Sequence, residues 1–258
     1  RIDGILGTNV LHHGVLELDY PGGHVRLASS PERLPARGAG QPLALIGAWM
    51  PQLAIDSGGR TIGSLLLDSG SMGALSLPSS LRASLGVTDV ASGRGTIGVG
   101  AHGPVYGSKQ AFAWPAATIG GRSFVGVETV AHDTDTGTLG ARVLRAYVVR
   151  IDYREHTAAL WPSGAALPHA AHSFGFEWTA GPTPRVSFVW EGSAAAKAGI
   201  APGQPITAID GRALATMTAQ ARCELARDMS ALASPSSRSF RVEGRFGART
   251  IVLQRVPL

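Results

Sequence analysis

Asp68 is the residue whose setting points most directly to chemistry. It closes an apolar-rich run, Ile62 to Leu67, and opens the turn Asp68-Ser69-Gly70-Ser71. Ala74 to Leu77 then reads as a second strand and Pro78 to Leu85 as a helix. A carboxylate at the tip of such a strand-turn-strand is held rigidly, and its apolar flanks shield it from water. Gly70 lets the backbone turn tightly, and the Ser69 hydroxyl can join the carboxylate system.

Two other constellations compete with it. Ala54-Ile55-Asp56-Ser57-Gly58-Gly59 follows a similar pattern, and its Asp-Ser-Gly-Gly resembles the nucleophile loop of trypsin-like serine proteases. Arg60, Thr61 and another strand come next, so the segment reads as a hairpin turn, where Asp and Gly are ordinary. A triad at Ser57 needs a base histidine and an orienting aspartate from a long preceding domain. Upstream of the loop stand His12, His13, His24, Asp3 and Asp19. The three histidines lie within a repeat whose other copy has different residues at those positions. His169 and His172 have HxxH spacing in a Pro/Ala linker without a third ligand, so no metal is expected, and no cofactor.

The elements around these residues are revealed by that repeat. Residues 6–27 align without a gap on residues 139–160, with eight identities in 22 positions. The identical pairs are Leu6/Leu139, Gly7/Gly140, Val10/Val143, Leu11/Leu144, Val15/Val148, Asp19/Asp152, Tyr20/Tyr153 and Leu27/Leu160. Alternation and turn residues make each copy a short helical turn followed by a hairpin. Repetition at a fixed offset of 133 points to two homologous lobes. A full lobe of roughly 95 residues precedes the second copy and almost nothing precedes the first, so the first lobe is expected to be truncated.

Leu66-Leu67-Asp68-Ser69-Gly70-Ser71, with Thr138-Leu139-Gly140 later, resembles the two-part signature of retropepsin-like aspartic peptidases. The resemblance spans about residues 42–162, with Ile5-Leu6-Gly7-Thr8-Asn9-Val10-Leu11 as the counterpart of the second element in the broken lobe. It implies a β-barrel lobe of the acid-protease type at 42–162, preceded by a C-terminal remnant of a first lobe at 1–35. It further implies an endopeptidase in which Asp68 is one of two aspartates sharing a proton, since like charges that close cannot both ionise. One aspartate activates water and the other protonates the intermediate. The second aspartate is expected upstream of Arg1, so the site needs the missing segment or a second copy of the lobe. The glycine-rich stretch Gly93 to Gly107 reads as a hairpin that either covers substrate, through Gly98, Val99 and Gly100, or is a plain surface loop.

An Ala/Pro/His linker ends near residue 172 and marks a boundary. Beyond it, Ser173-Phe174-Gly175-Phe176, the strand Arg185 to Trp190, Gly192-Ser193-Ala194-Ala195-Ala196-Lys197-Ala198-Gly199, Pro202-Gly203-Gln204 and Ile209-Asp210-Gly211 resemble a PDZ domain over 173–258. Gln204 stands where that family usually has Asp. The resemblance implies that an extended peptide adds beside the strand after Phe174-Gly175-Phe176, with backbone N–H groups of that loop able to capture a terminal carboxylate. Thr218 to Met229 is expected to be the helix walling the groove, with Ala221, Leu225, Ala226 and Met229 at helical spacing.

Composition narrows the classes. Gly numbers 34 and Pro 16, and only 16% of residues are charged, which favours a mainly β chain. The net charge of +5 is spread singly along the chain, so nucleic acid is not an expected partner. No apolar run is long enough to span a membrane. Cys223 is the single cysteine and forms no internal disulfide. The pairing with a PDZ domain suggests a bacterial and extracytoplasmic setting, periplasmic or secreted. The expectation is an aspartic endopeptidase with a polypeptide substrate and a PDZ ligand. The alternatives are a catalytically silent PDZ-bearing scaffold and, third, a PDZ-bearing serine protease using Ser57.

Overall fold

The two copies of the repeat fold alike and meet in one sheet. The computed structural model describes residues 6–38, 41–44, 50–57, 59–100, 103–119, 122–168, 172–230 and 235–258; Ile5, Gly58 and His169, which enter the sequence motifs, lie outside them. The first copy is helix α1 (Thr8–Leu11) with strands β1 (Val15–Asp19) and β2 (His24–Ala28). There follow β3 (Gln41–Ala44), β4 (Gln52–Ser57), β5 (Arg60–Asp68), β6 (Leu75–Pro78), helix α2 (Ser79–Ser84), the long hairpin β7 (Ala91–Gly100) and β8 (Gly103–Trp114), β9 (Ala117–Ile119), β10 (Arg122–Phe124), β11 (Val127–His132) and β12 (Gly137–Gly140). The second copy is α3 (Ala141–Leu144), β13 (Tyr147–Asp152) and β14 (Thr157–Pro162). The remainder is β15 (His172–Ser173), β16 (Phe176–Thr179), β17 (Arg185–Trp190), α4 (Ala194–Lys197), β18 (Ile206–Ile209), β19 (Arg212–Ala213), α5 (Ala219–Ser230), β20 (Ser237–Gly244), β21 (Gly247–Gln254) and β22 (Val256–Pro257). The chain is mainly β.

Two units divide it: Arg1–Val87 with Ala113–His169, and Thr88–Phe112 with Ala170–Leu258. In the first unit one sheet has the order β2-β1-β13-β14-β3. β1 and β13 run antiparallel with Val15 opposite Asp152, Glu17 opposite Arg150 and Asp19 opposite Val148. These partners exchange under the 133-residue offset, so the two copies are related by a local two-fold passing between Glu17 and Arg150. A second set of strands has the order β10-β9-β4-β5-β12-β6-β11. β12 inserts between β5 and β6, parallel to the first and antiparallel to the second, with Gly140 beside Asp68. Leu53, Ile55, Leu65, Leu75, Leu77, Ile119 and Leu139 form its buried interior.

The second unit is built on Phe174, Phe176, Val186, Ile206, Ile209, Leu225, Met229, Phe240 and Leu253. Phe240 is met edge-on by Phe174 and Phe176, with centroids 5.4 and 5.0 Å away, a favoured aromatic geometry. Helix α4 begins where the Ser193 hydroxyl accepts the Ala196 N–H at 3.1 Å, the usual service of an N-cap serine. Its strands are ordered β19-β18-β20-β21 in one set and β8-β7-β17-β16 in a second.

The hairpin expected to cover the Asp68 lobe belongs to this second unit, which differs from a 42–162 lobe containing it. β7 pairs with β17 through Gly93 opposite Trp190 and Gly95 opposite Phe188. A Cβ on Gly95 would lie 2.2 Å from the Ser187 carbonyl oxygen, and one on Gly93 would lie 2.4 Å from the Phe188 ring. The glycines that permit close backbone approach are therefore Gly93 and Gly95, and what they approach is β17.

Candidate functional site

β5 carries Asp68 at its last position, and the turn after it is closed by that side chain. Asp68 Oδ1 accepts the N–H groups of Gly70 at 2.9 Å and Ser71 at 3.1 Å. The turn is tied to the second repeat copy by Ala141 N–H donating to the Ser71 carbonyl at 2.8 Å and Gly140 N–H to the Ala74 carbonyl at 2.8 Å. A Cβ on Gly140 would stand 2.4 Å from the Gly73 carbonyl oxygen, so only glycine fits there. Asp68 and Ser69 border a pocket of about 230 Å³ with a largely apolar lining that includes Leu16, Leu66, Leu144, Val149 and Ile151. Among the described residues lining it, Asp68 is the only carboxylate. A shared proton requires a second one.

Ser57 ends β4 at a hairpin turn into β5, as its sequence suggested. Its hydroxyl donates to the Ala116 carbonyl at 3.3 Å, and Asp56 accepts from Thr61 at 2.6 Å. No hydrogen bond links Ser57 to a histidine among the described residues. No group of three or more metal-ligating side chains forms among those residues. No helix among them is long and apolar enough to cross a membrane.

Gly98, Val99 and Gly100 lie near the end of β7, beyond its pairing with β17. Val99 is 79% exposed, and a Cβ on Gly98 would meet nothing within 4 Å. Farther down the hairpin, Lys109 donates to Glu177 of β16 at 2.5 Å while lying over the Phe188 ring, 4.3 Å from its centroid. This ammonium ties the hairpin across β17 to β16.

Phe174, Gly175 and Phe176 form the loop into β16. The two phenylalanine side chains are core residues, so only the backbone of the loop can meet a ligand. Gly175 has φ of +91° and no room for a Cβ, which would sit 2.7 Å from the Ser193 hydroxyl. Its carbonyl accepts the Trp190 N–H at 2.9 Å and the Ser193 hydroxyl at 3.2 Å. β16 pairs with β17 on one side and ends the strand order, so its other edge has no strand partner among the described residues. α5, with Leu225 and Met229 in the same core, is joined to the far end of β16 by Arg222. This guanidinium donates to the carbonyls of Ala180 at 3.2 Å, Leu214 at 3.4 Å and Met217 at 2.7 Å. Sequence reasoning missed Arg222 and Lys109. The one signal available for Arg222 was a basic residue one position after Ala221 on a helix with an apolar stripe.

A scan against protein-family models finds no match, and a search of curated proteins finds none. Among solved structures the chain is similar to an HtrA-type protease AlgW with decapeptide, at 13% identity and a TM-score of 0.27, over 91% of this chain and 67% of that chain. These findings correct the expectation of a retropepsin-like aspartic endopeptidase with Asp68 as half of a dyad. No family model matches, and the similar solved structure is an HtrA-type protease. The TM-score is too low for that protein's fold or activity to carry over to this chain.

Proposed function

We propose that this protein binds extended polypeptide through its C-terminal unit, a PDZ-type module whose ligand adds as a strand along β16. The observation that carries the reading is the edge of β16, paired with β17 on one side and without a strand partner among the described residues on the other. An unpaired edge offers main-chain donors and acceptors at the spacing of another strand. α5 lies at the far end of that edge through Arg222, and Trp178 packs on the core that α5 shares. The loop Phe174-Gly175-Phe176 leads the chain into the edge and fixes its direction. Asp68, Ser69 and Gly70 serve as a structural turn that joins β5 to the second repeat copy.

The reading is tested by amide chemical shifts. Adding a pool of unstructured peptides to the full chain is expected to move the amides of Phe176 to Thr179. Shifts confined to other regions, or none at peptide excess, would overturn it.

A further inference from the structure

We propose that the cavity beside Asp68 is a binding site for a small apolar amine, whose ammonium meets the second carboxylate oxygen of Asp68 while its body lies against the apolar walls. The site lies wholly in the first unit and does not depend on peptide binding along β16.

The walls come from matching positions of the two repeat copies. Leu11 and Leu144, Leu16 and Val149, and Leu18 and Ile151 are partners under the 133-residue offset, and all six line the cavity. Its volume of about 230 Å³ exceeds that of an apolar cavity able to hold benzene, about 150 Å³. A single ring with a short polar extension therefore has room, and removing its apolar surface from water favours binding.

Asp68 gives this otherwise apolar lining its polarity. Its Oδ1 accepts the N–H groups of Gly70 and Ser71, which fills the two acceptor sites of that oxygen. Oδ2 takes no hydrogen bond or ion pair among the described residues. A carboxylate oxygen beside an apolar cavity favours a cation: a neutral ligand would cover it without a charge-assisted bond, and an anion would be repelled. With one oxygen open, the match is to the point charge of an ammonium, since the fork of a guanidinium takes both oxygens at once. Thr8, Ser69 and Tyr153 also line the cavity, and their hydroxyls can accept the remaining ammonium N–H groups.

The test titrates the full chain with phenethylamine, phenethyl alcohol and phenethylguanidine, which share one apolar body and differ in the head group. Affinity is read by calorimetry, and the site is located by the amide shifts of Leu67 to Gly70 and of Leu144. The amine is expected to bind at least about tenfold more tightly than the alcohol, with shifts at those residues. Asp68→Asn, which keeps an oxygen for the turn, is expected to bring the amine down to the affinity of the alcohol. Equal affinity of amine and alcohol for wild type, tighter binding of the guanidine than of the amine, or a preference for the amine that survives in Asp68→Asn overturns the proposal. So does the absence of amine binding, or shifts confined to other residues. Should the variant fail to fold, the three ligands on wild type decide the matter alone.

Discussion

Glu17 and Arg150 occupy the same position in the two copies of the repeat and face each other across β1 and β13, with Arg150 donating to Glu17 Oε2 through Nε at 3.0 Å and a terminal nitrogen at 2.5 Å. Glu17 is fully buried and also accepts from Arg26 at 3.0 Å and Arg37 at 3.1 Å. Arg150 and Arg37 lie over the ring of Trp161, 5.1 and 5.9 Å from its centroid. The sequence symmetry is thus broken at its own axis by opposite charges, which avoids placing two like residues against each other.

Removing the carboxylate charge should be costly. Glu17→Gln leaves three guanidinium groups facing a neutral amide inside the sheet, and breaking a buried pair in this way costs about 3 kcal/mol or more. Urea unfolding is expected to show a lower midpoint with an unchanged slope. A midpoint equal to wild type would mean the cluster contributes nothing.

Stability should fall in acid through the same residue. Burial raises the pKa of the Glu17 carboxyl, but hydrogen bonds and charge from Arg37 and Arg150 outweigh it and hold the group below its ordinary value of 4.5. A depressed folded pKa gives stability that is fully present above the unfolded value and lost as pH falls toward the folded one. Between about pH 6 and pH 3 the unfolding midpoint of wild type should drop more steeply than that of Glu17→Gln. Parallel curves would refute this.

The hairpin docking on β17 should depend on glycine at one place and not at another. Gly95 has φ of +147° and a Cβ there would press on the Ser187 carbonyl and the Phe188 Cα at 2.2 and 2.6 Å. Gly95→Ala is expected to destabilise the second unit by about 2 kcal/mol or more, read as faster hydrogen exchange in β7 and β17. Gly98→Ala, facing open space, should change stability by under about 1 kcal/mol. Equal effects of the two substitutions would argue against the docked hairpin.

Asp68 acts here as a turn-closing acceptor, so Asn should replace it and Ala should not. Asp68→Ala frees the N–H groups of Gly70 and Ser71 and should cost about 1 kcal/mol. Asp68→Asn keeps an oxygen in the same place and should cost less. The comparison is made by thermal unfolding, and a larger loss for Asn than for Ala would sink the structural account.

What the sequence determined by itself is local. The repeat announced two helical-turn-and-hairpin units because strand alternation and turn residues act over a few positions, and both units form where expected. The strand at 185–190 and the helix near 218–229 were legible for the same reason. So was the Ser57 loop as a hairpin turn, because Asp, Ser and Gly in succession specify a turn whatever surrounds them. The glycine-rich hairpin was recognisable as a hairpin, but its partner was not. Glycine marks where a backbone can come close without saying which backbone comes. Only the tertiary structure brought Gly93 and Gly95 against β17, set Lys109 on Glu177, and turned the Gly175 N–H to the Ser173 hydroxyl. It also set the Ala141 N–H on the Ser71 carbonyl, because a motif of four residues fixes a turn while the turn's partner depends on where a distant segment folds.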